Sequence, residues 1–213
     1  MAAIAEGVAA AAAVGDAIDV GKSSLDRRLD ALCEDGWEIW CRFDDTFRHR
    51  RFHPFVPADY DVARNLLSSL RAPGCRFLEW GSATGIITIM ADMMGFDAYG
   101  IEIDASLVAT ANEVASRHQS AARFVVGSFL PAGYHFRARD GDNRTGTIAD
   151  GPSGYVELGR ALEDFDIVFG YPWSGEEAVM LDVMQRYGRS DARLLLYDSD
   201  NSVRVYRGGR LTE

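Results

Sequence analysis

Beyond residue 75 the chain alternates between short apolar runs and longer amphipathic segments. The runs at 76–80, 97–102, 122–127, 165–170 and 193–198 are rich in Ile, Val, Leu and Phe. Their length and composition predict strands buried on both faces. Segments 84–95, 105–118 and 175–187 repeat apolar residues at helical spacing and predict helices. Strands alternating with helices imply an α/β fold: a doubly wound, mostly parallel sheet with helices on both faces and right-handed crossovers.

Ahead of this alternation the pattern is helical. Ser23 or Ser24 reads as a cap, with Asp26 in the first turn, for a helix reaching about residue 47. Leu25, Leu29, Leu32, Ile39, Trp40 and Phe43 fall at helical spacing along it. His53-Pro54-Phe55-Val56-Pro57 is a break, Asp59 caps a second helix through about Leu70, and Pro73-Gly74 ends it. The chain therefore divides into an N-terminal helical segment, 1–72, packing on a core of 73–213. Residues 1–20, rich in Ala, Gly and Val, form a helix or fray. With Glu6 and no basic start they do not resemble a signal peptide.

Two stretches break the alternation. Residues 130–163 are too long for a simple connection and predict an irregular insert. A hairpin at Asp140–Asn143, flanked by 134–139 and 145–148, and a short helix around 154–163 fit its composition. A surface loop and a substrate-recognition lid both remain open for it. At the C-terminus Val203-Arg204-Val205-Tyr206 follows strand 193–198 through Asp198-Ser199-Asp200-Asn201, which predicts a hairpin or a shortened sheet.

The candidate chemistry sits at strand ends. Phe77-Leu78-Glu79-Trp80-Gly81-Ser82-Ala83-Thr84-Gly85 is a strand that breaks into a turn of small residues and then a helix. Such a turn lets backbone amides approach a ligand, and the helix start presents further free N–H groups. Glu102 ends the next strand, at about the ~20-residue distance where an acidic group meets ribose hydroxyls. A carboxylate only accepts hydrogen bonds, which suits a cis-diol. A dinucleotide fingerprint needs a small residue at 86, where Ile86 stands, so a nicotinamide cofactor is disfavoured.

Glu79-Trp80-Gly81-Ser82-Ala83-Thr84-Gly85 resembles the E-x-G-x-G-x-G first motif of class I S-adenosylmethionine-dependent methyltransferases. Gly100-Ile101-Glu102 resembles their second motif and Arg123-Phe124-Val125-Val126-Gly127-Ser128-Phe129 their third, with Ser128 where the family usually has Asp. Asp164-Phe165-Asp166-Ile167-Val168-Phe169-Gly170-Tyr171-Pro172-Trp173 resembles the fourth. The resemblance spans about 75–200 with the motifs in order. It implies a Rossmann-like sheet of seven strands, here C-terminally shortened, and S-adenosyl-L-methionine as cofactor.

By the same resemblance Gly81, Ser82, Ala83 and Gly85 form the cofactor loop and Glu79 holds the amino acid end. Glu102 binds the ribose while Asp104 caps the following helix. Ile103 and Phe129 line the adenine pocket, Ser128 accepts from the adenine amino group, and Gly170 lies beside the methyl. Tyr171 and Trp173 stand where related base-amine methyltransferases carry Asn and Pro. They are candidates to position a substrate by stacking or by cation–π attraction, worth ~0.5–2 kcal/mol. Phe55 and Tyr60 are candidates to cover the cofactor. Glu176 and Glu177 suit a helix N-terminus, with amine binding or general base catalysis as the sharper alternative. His49, His53 and the basic Arg48-His49-Arg50-Arg51 read as solvated or structural.

Charge narrows the partners. The net charge of −10 over 213 residues disfavours nucleic acid and anionic membranes. No run is long and apolar enough to span a membrane. Cys33, Cys41 and Cys75 are odd in number and match no metal spacing, which suggests reduced core thiols in a cytoplasmic protein. With 47% apolar and 25% charged residues the composition is that of a globular chain. The expected function is methyl transfer to a small-molecule acceptor, with no metal. The alternatives are a non-catalytic protein that holds the cofactor or S-adenosylhomocysteine and, more weakly, a nicotinamide-dependent oxidoreductase.

Overall fold

Helix α1 (Ser24–Phe47) opens on a reciprocal cap. The Ser23 amide donates to Asp26 Oδ2 at 3.2 Å, and the Asp26 amide donates back to Ser23 Oγ at 3.1 Å. The computed structural model describes residues 22–47, 55–135, 148, 151–173 and 175–212. The segment 1–20, the Arg48–Arg51 cluster with His49, His53 and the hairpin at Asp140–Asn143 lie outside the described residues. Helix α2 (Tyr60–Leu70) is capped by Asp59, whose carboxylate accepts from the Asp61 and Val62 amides at 2.9 and 3.2 Å.

The alternating core then follows: β1 (Arg76–Trp80), α3 (Ile86–Met93), β2 (Asp97–Glu102), α4 (Ala105–Arg117) and β3 (Arg123–Val126). After the insert come α5 (Gly154–Leu158), a 3₁₀ turn at Leu162–Asp164, β4 (Ile167–Gly170), α6 (Glu177–Tyr187) and β5 (Arg193–Tyr197). Strands β6 (Val203–Arg207) and β7 (Arg210–Leu211) complete the sheet. Their order is β3-β2-β1-β4-β5-β6-β7. The first five pair in parallel, and β6 runs antiparallel along the whole of β5. This is the doubly wound Rossmann-like arrangement, and it has seven strands rather than a truncated set, the last only two residues long.

Alternate residues of each strand feed two cores. Phe77, Ile167, Phe169, Leu195 and Tyr197 face the helices α1 to α4. Leu78, Trp80, Val168, Leu194 and Leu196 face α5 and α6. A period of two along strands covered on both faces produces this division. The N-terminal helices share the first core through Leu29, Leu32, Tyr60, Ala63 and Leu67.

Boundaries moved where backbone geometry intervenes. Helix α3 starts at Ile86, not 84, because Gly85 takes a left-handed φ of 78°. The insert returns through the Ser128 amide, which donates to the Pro152 carbonyl, and the Gly154 amide, which donates to the Ser128 carbonyl, both at 2.8 Å. A Cβ on Gly127 would lie 2.7 Å from the Gly154 Cα, so this crossing needs glycine. Helix α5 lasts one turn and stops at Gly159, φ 62°.

Candidate functional site

Parallel strands of this order leave a crevice beyond their carboxyl ends, between β1 and β4, where the winding reverses. A cavity of about 680 Å³ lies there. That is within the ~300–1,000 Å³ range of small-molecule sites.

Its first wall is the β1–α3 turn. Gly81, Ser82, Ala83 and Thr84 line it. Gly81 and Ala83 both have positive φ, 70° and 44°. The turn is pinned from within. The Gly81 and Ser82 amides donate to the Ile101 carbonyl at 2.9 and 3.1 Å, the Ala83 amide to Glu102 Oε2 at 2.9 Å, and the Gly85 amide to the Ser82 carbonyl at 2.7 Å. These four amides are thus engaged by the protein, contrary to the expectation that they face a ligand. What the turn offers is absence of bulk. Its Ser82 hydroxyl is buried and has no hydrogen-bond partner among the described residues. A Cβ on Gly100 would stand 2.6 Å from that hydroxyl.

Two glutamates frame the turn. Glu79 is buried, and the Thr88 amide donates to its Oε2 at 3.0 Å while the Thr88 hydroxyl donates to the same oxygen. Burial pushes its carboxyl up to about 8; the Thr88 bonds oppose the shift and nearby Glu102 adds to it. Glu102 is also buried and raised by desolvation, against backbone hydrogen bonds that favour its ionised form. Its Oε1 accepts from the Asp104 amide at 2.9 Å. Asp104 caps α4 separately, accepting from the Ser106 amide at 2.7 Å. The cap therefore falls to Asp104 alone, and each Glu102 oxygen keeps acceptor capacity.

Of the residues singled out in the sequence, Glu79, Gly81, Ser82, Ala83, Glu102, Ile103, Phe129, Tyr171 and Trp173 line this cavity, as do Phe55 and Tyr60. Phe129 is itself stacked on Trp80, centroids 4.8 Å apart with planes at 16°. Gly85, Ser128 and Gly170 stand outside the lining. The side of Gly85 faces the core, where a Cβ would meet the Phe124 ring at 2.6 Å. Ser128 turns its hydroxyl to the Leu130 amide at 3.2 Å and borders a smaller depression beside the insert. Gly170 is buried against Met180. Glu176 does not reach the cavity either: it braces the loop, accepting from the Trp173 amide at 2.8 Å and the Ile148 amide at 3.0 Å.

The opposite wall contains residues that the sequence reading passed over. Asp198 and Ser199 follow β5, and Arg204 projects from β6. Arg204 donates to Glu177 Oε1 and, at 3.2 Å, to Asp198 Oδ2. The alternation Val203-Arg204-Val205-Tyr206 carried the signal, since it puts Arg204 and Tyr206 on one face of the strand. Burial, then the charge of Asp198, pushes the Tyr171 phenol up, so it remains a neutral hydroxyl near neutral pH.

Solved methyltransferases are among the structures this chain is similar to. An RNA methyltransferase from Salinibacter ruber, in complex with S-adenosyl-L-homocysteine, matches with a TM-score of 0.49 at 17% identity, over 68% of this chain and 79% of that one. A precorrin-6y C5,15-methyltransferase from Geobacter metallireducens gives 0.46 and 16%, over 66% and 62%. An S-adenosylmethionine-dependent methyltransferase from Thiobacillus denitrificans, in complex with S-adenosyl-L-homocysteine, gives 0.45 and 20%, over 72% and 53%. The chain spans less than two thirds of the last two. No protein-family model and no curated protein matches it.

One hydroxyl ties the segment before α2 to the β5–β6 turn. Tyr197 accepts from the Asp59 amide at 2.9 Å and donates to Asn201 Oδ1 at 2.6 Å. Its ring meets Tyr171 edge-on with centroids 4.8 Å apart. Tyr197→Phe keeps the ring and removes both bonds. It is expected to cost about 1–2 kcal/mol of unfolding free energy, read by urea denaturation. An unchanged midpoint would mean that water replaces the hydroxyl without loss.

Proposed function

We propose that the protein binds S-adenosyl-L-methionine in this cavity and transfers its methyl group to a small-molecule acceptor. The observation that carries the reading is the joining of the Gly81–Thr84 turn, Glu79 and Glu102 in one wall of one cavity. The residues fit the cofactor. The turn has no side chain large enough to obstruct a ligand lying over it. Glu102, with acceptor capacity left on both oxygens, suits the ribose diol. Glu79 suits the cofactor's ammonium, which would favour its ionised form. Ile103 and Phe129 offer apolar surface to the adenine.

When bound, the cofactor supplies an electrophilic methyl group on a sulfonium. The chain's own contribution is placement: Phe55 and Tyr60 cover the cavity from the N-terminal side, and Tyr171 and Trp173 flank the acceptor. Against a nicotinamide cofactor, the large buried Ile86 fills the position where a dinucleotide loop needs a small residue.

Calorimetric titration with S-adenosylmethionine, S-adenosylhomocysteine and NAD tests the reading. Tighter binding of NAD than of either adenosyl ligand would sink it. Glu102→Ala is expected to weaken S-adenosylhomocysteine by ~1–3 kcal/mol, the cost of a lost charged hydrogen bond. Undiminished affinity in that variant would place the ribose elsewhere.

A further inference from the structure

The chemistry of the far wall narrows the acceptor. Among the described residues lining the cavity, the ionisable acids are Glu79, Glu102, Asp104, Glu177 and Asp198, the cation is Arg204, and there is no Lys or His. These acids are spread across the sheet rather than gathered at one point. Glu102 ends β2 and Asp198 follows β5, three strand spacings away, or roughly 14 Å.

Arg204 does not offset them for an incoming ligand. Its guanidinium is held between Glu177 and Asp198, so an incoming carboxylate or phosphate would meet their two negative charges beside it. Its Nε is buried without a partner among the described residues. Glu177 stays ionised: the Tyr206 hydroxyl, then the Arg204 guanidinium, hold its carboxyl below the usual range. Both donors approach the same oxygen, Oε1. Oε2 accepts no hydrogen bond from the described residues, on a side chain that lines the cavity. Tyr171 and Trp173 line the same cavity and present aromatic surface. A carboxylate oxygen and aromatic rings lining one cavity are the chemistry that recognises an ammonium group, and even with Glu79 set aside as protonated, the carboxyl groups of the lining outnumber its one guanidinium, which disfavours anions.

We infer that the acceptor is a small molecule bearing a protonated amine, held by Glu177 Oε2 and flanked by Tyr171 and Trp173. The amine is the recognition handle; the atom that is methylated is a separate matter. This rests on the reading that the cofactor takes the Glu102 end of the cavity, and the two stand or fall separately in one experiment.

The full chain, saturated with S-adenosylhomocysteine, is titrated with tyramine and tryptamine. Each is paired with the propionate of the same ring, hydroxyphenylpropionate and indolepropionate. The amines are expected to bind at least about tenfold tighter than their carboxylate partners, and Glu177→Gln to erase most of that preference. Equal or tighter binding of the carboxylates, no binding of either amine, or full preference in Glu177→Gln overturns the inference. If the variant fails to unfold cooperatively, the paired ligands on the unaltered protein still decide. Should S-adenosylhomocysteine itself not bind, the cofactor reading fails, and the same pairs titrated into the ligand-free protein continue to test the charge preference.

Discussion

Gly85→Val is expected to lower the stability of the protein by about 3 kcal/mol or more, from two independent costs. The first is backbone: φ at Gly85 is +78°, a region that β-branched residues strongly disfavour. The second is space. A Cβ there would lie 2.6 and 2.7 Å from two atoms of the Phe124 ring and 2.9 Å from the Ala111 Cβ. Phe124 is fixed in β3 and Ala111 in α4, so neither yields without disturbing the first core. At this chain length the loss corresponds to a fall in melting temperature of about 6–12 °C, read by calorimetry. A melting temperature within about 2 °C of the parent would show that α3 can shift to admit the side chain.

The second large effect is a pH dependence that one substitution removes. Glu79 has an ordinary value of 4.5 and a folded value of about 8. The folded state thus keeps a proton that the unfolded state has released. Stability from this group is greatest below about 4.5 and declines as pH rises through the interval to about 8, where the decline ends. The limiting slope is about 1.4 kcal/mol per pH unit. Glu79→Gln keeps an oxygen to accept from the Thr88 amide and hydroxyl but cannot ionise. Urea midpoints at pH 5 and pH 8 should therefore differ less in the variant than in the parent. Taking the difference between the two proteins removes the contributions of groups that do not interact with Glu79. Equal pH dependence in both would mean that Glu79 is already ionised in the folded protein at pH 5.

Both effects expose which interactions a sequence can display. The strands and helices were legible because each repeats its own period over consecutive residues. The caps at Asp59 and Asp104 were legible because a capping carboxylate binds amides two and three residues on. The cofactor wall was legible as far as small residues and acids at strand ends could mark it. What local pattern does not contain is the partner across the fold. Gly85 reads as part of a ligand loop until Phe124 and Ala111 are seen beside it. Ser128 reads as a ligand group until its hydroxyl is found on Leu130. Arg204, 27 residues from Glu177 in the chain, reads as an ordinary strand arginine. The amides of the Gly81–Gly85 turn read as open, although Ile101, Glu102 and Ser82 engage four of them. In each case a tertiary contact sets the role of a residue that its neighbours in sequence leave undetermined.

The stack of Phe129 on Trp80 joins the cavity to the second core. Trp80 is almost fully buried, and its indole nitrogen donates to the Tyr155 hydroxyl at 2.8 Å, on a residue that does not line the cavity. One face of the Phe129 ring is therefore fixed by a chain of contacts leading back through Trp80 to α5. A ring held this way has lost its rotational freedom when the protein folds, and a ligand lying against it need not order it. Folding stability and ligand affinity then draw on the same contacts. Changes at Tyr155, remote from any bound molecule, propagate to the wall of the cavity, and the two properties cannot be tuned independently along that line.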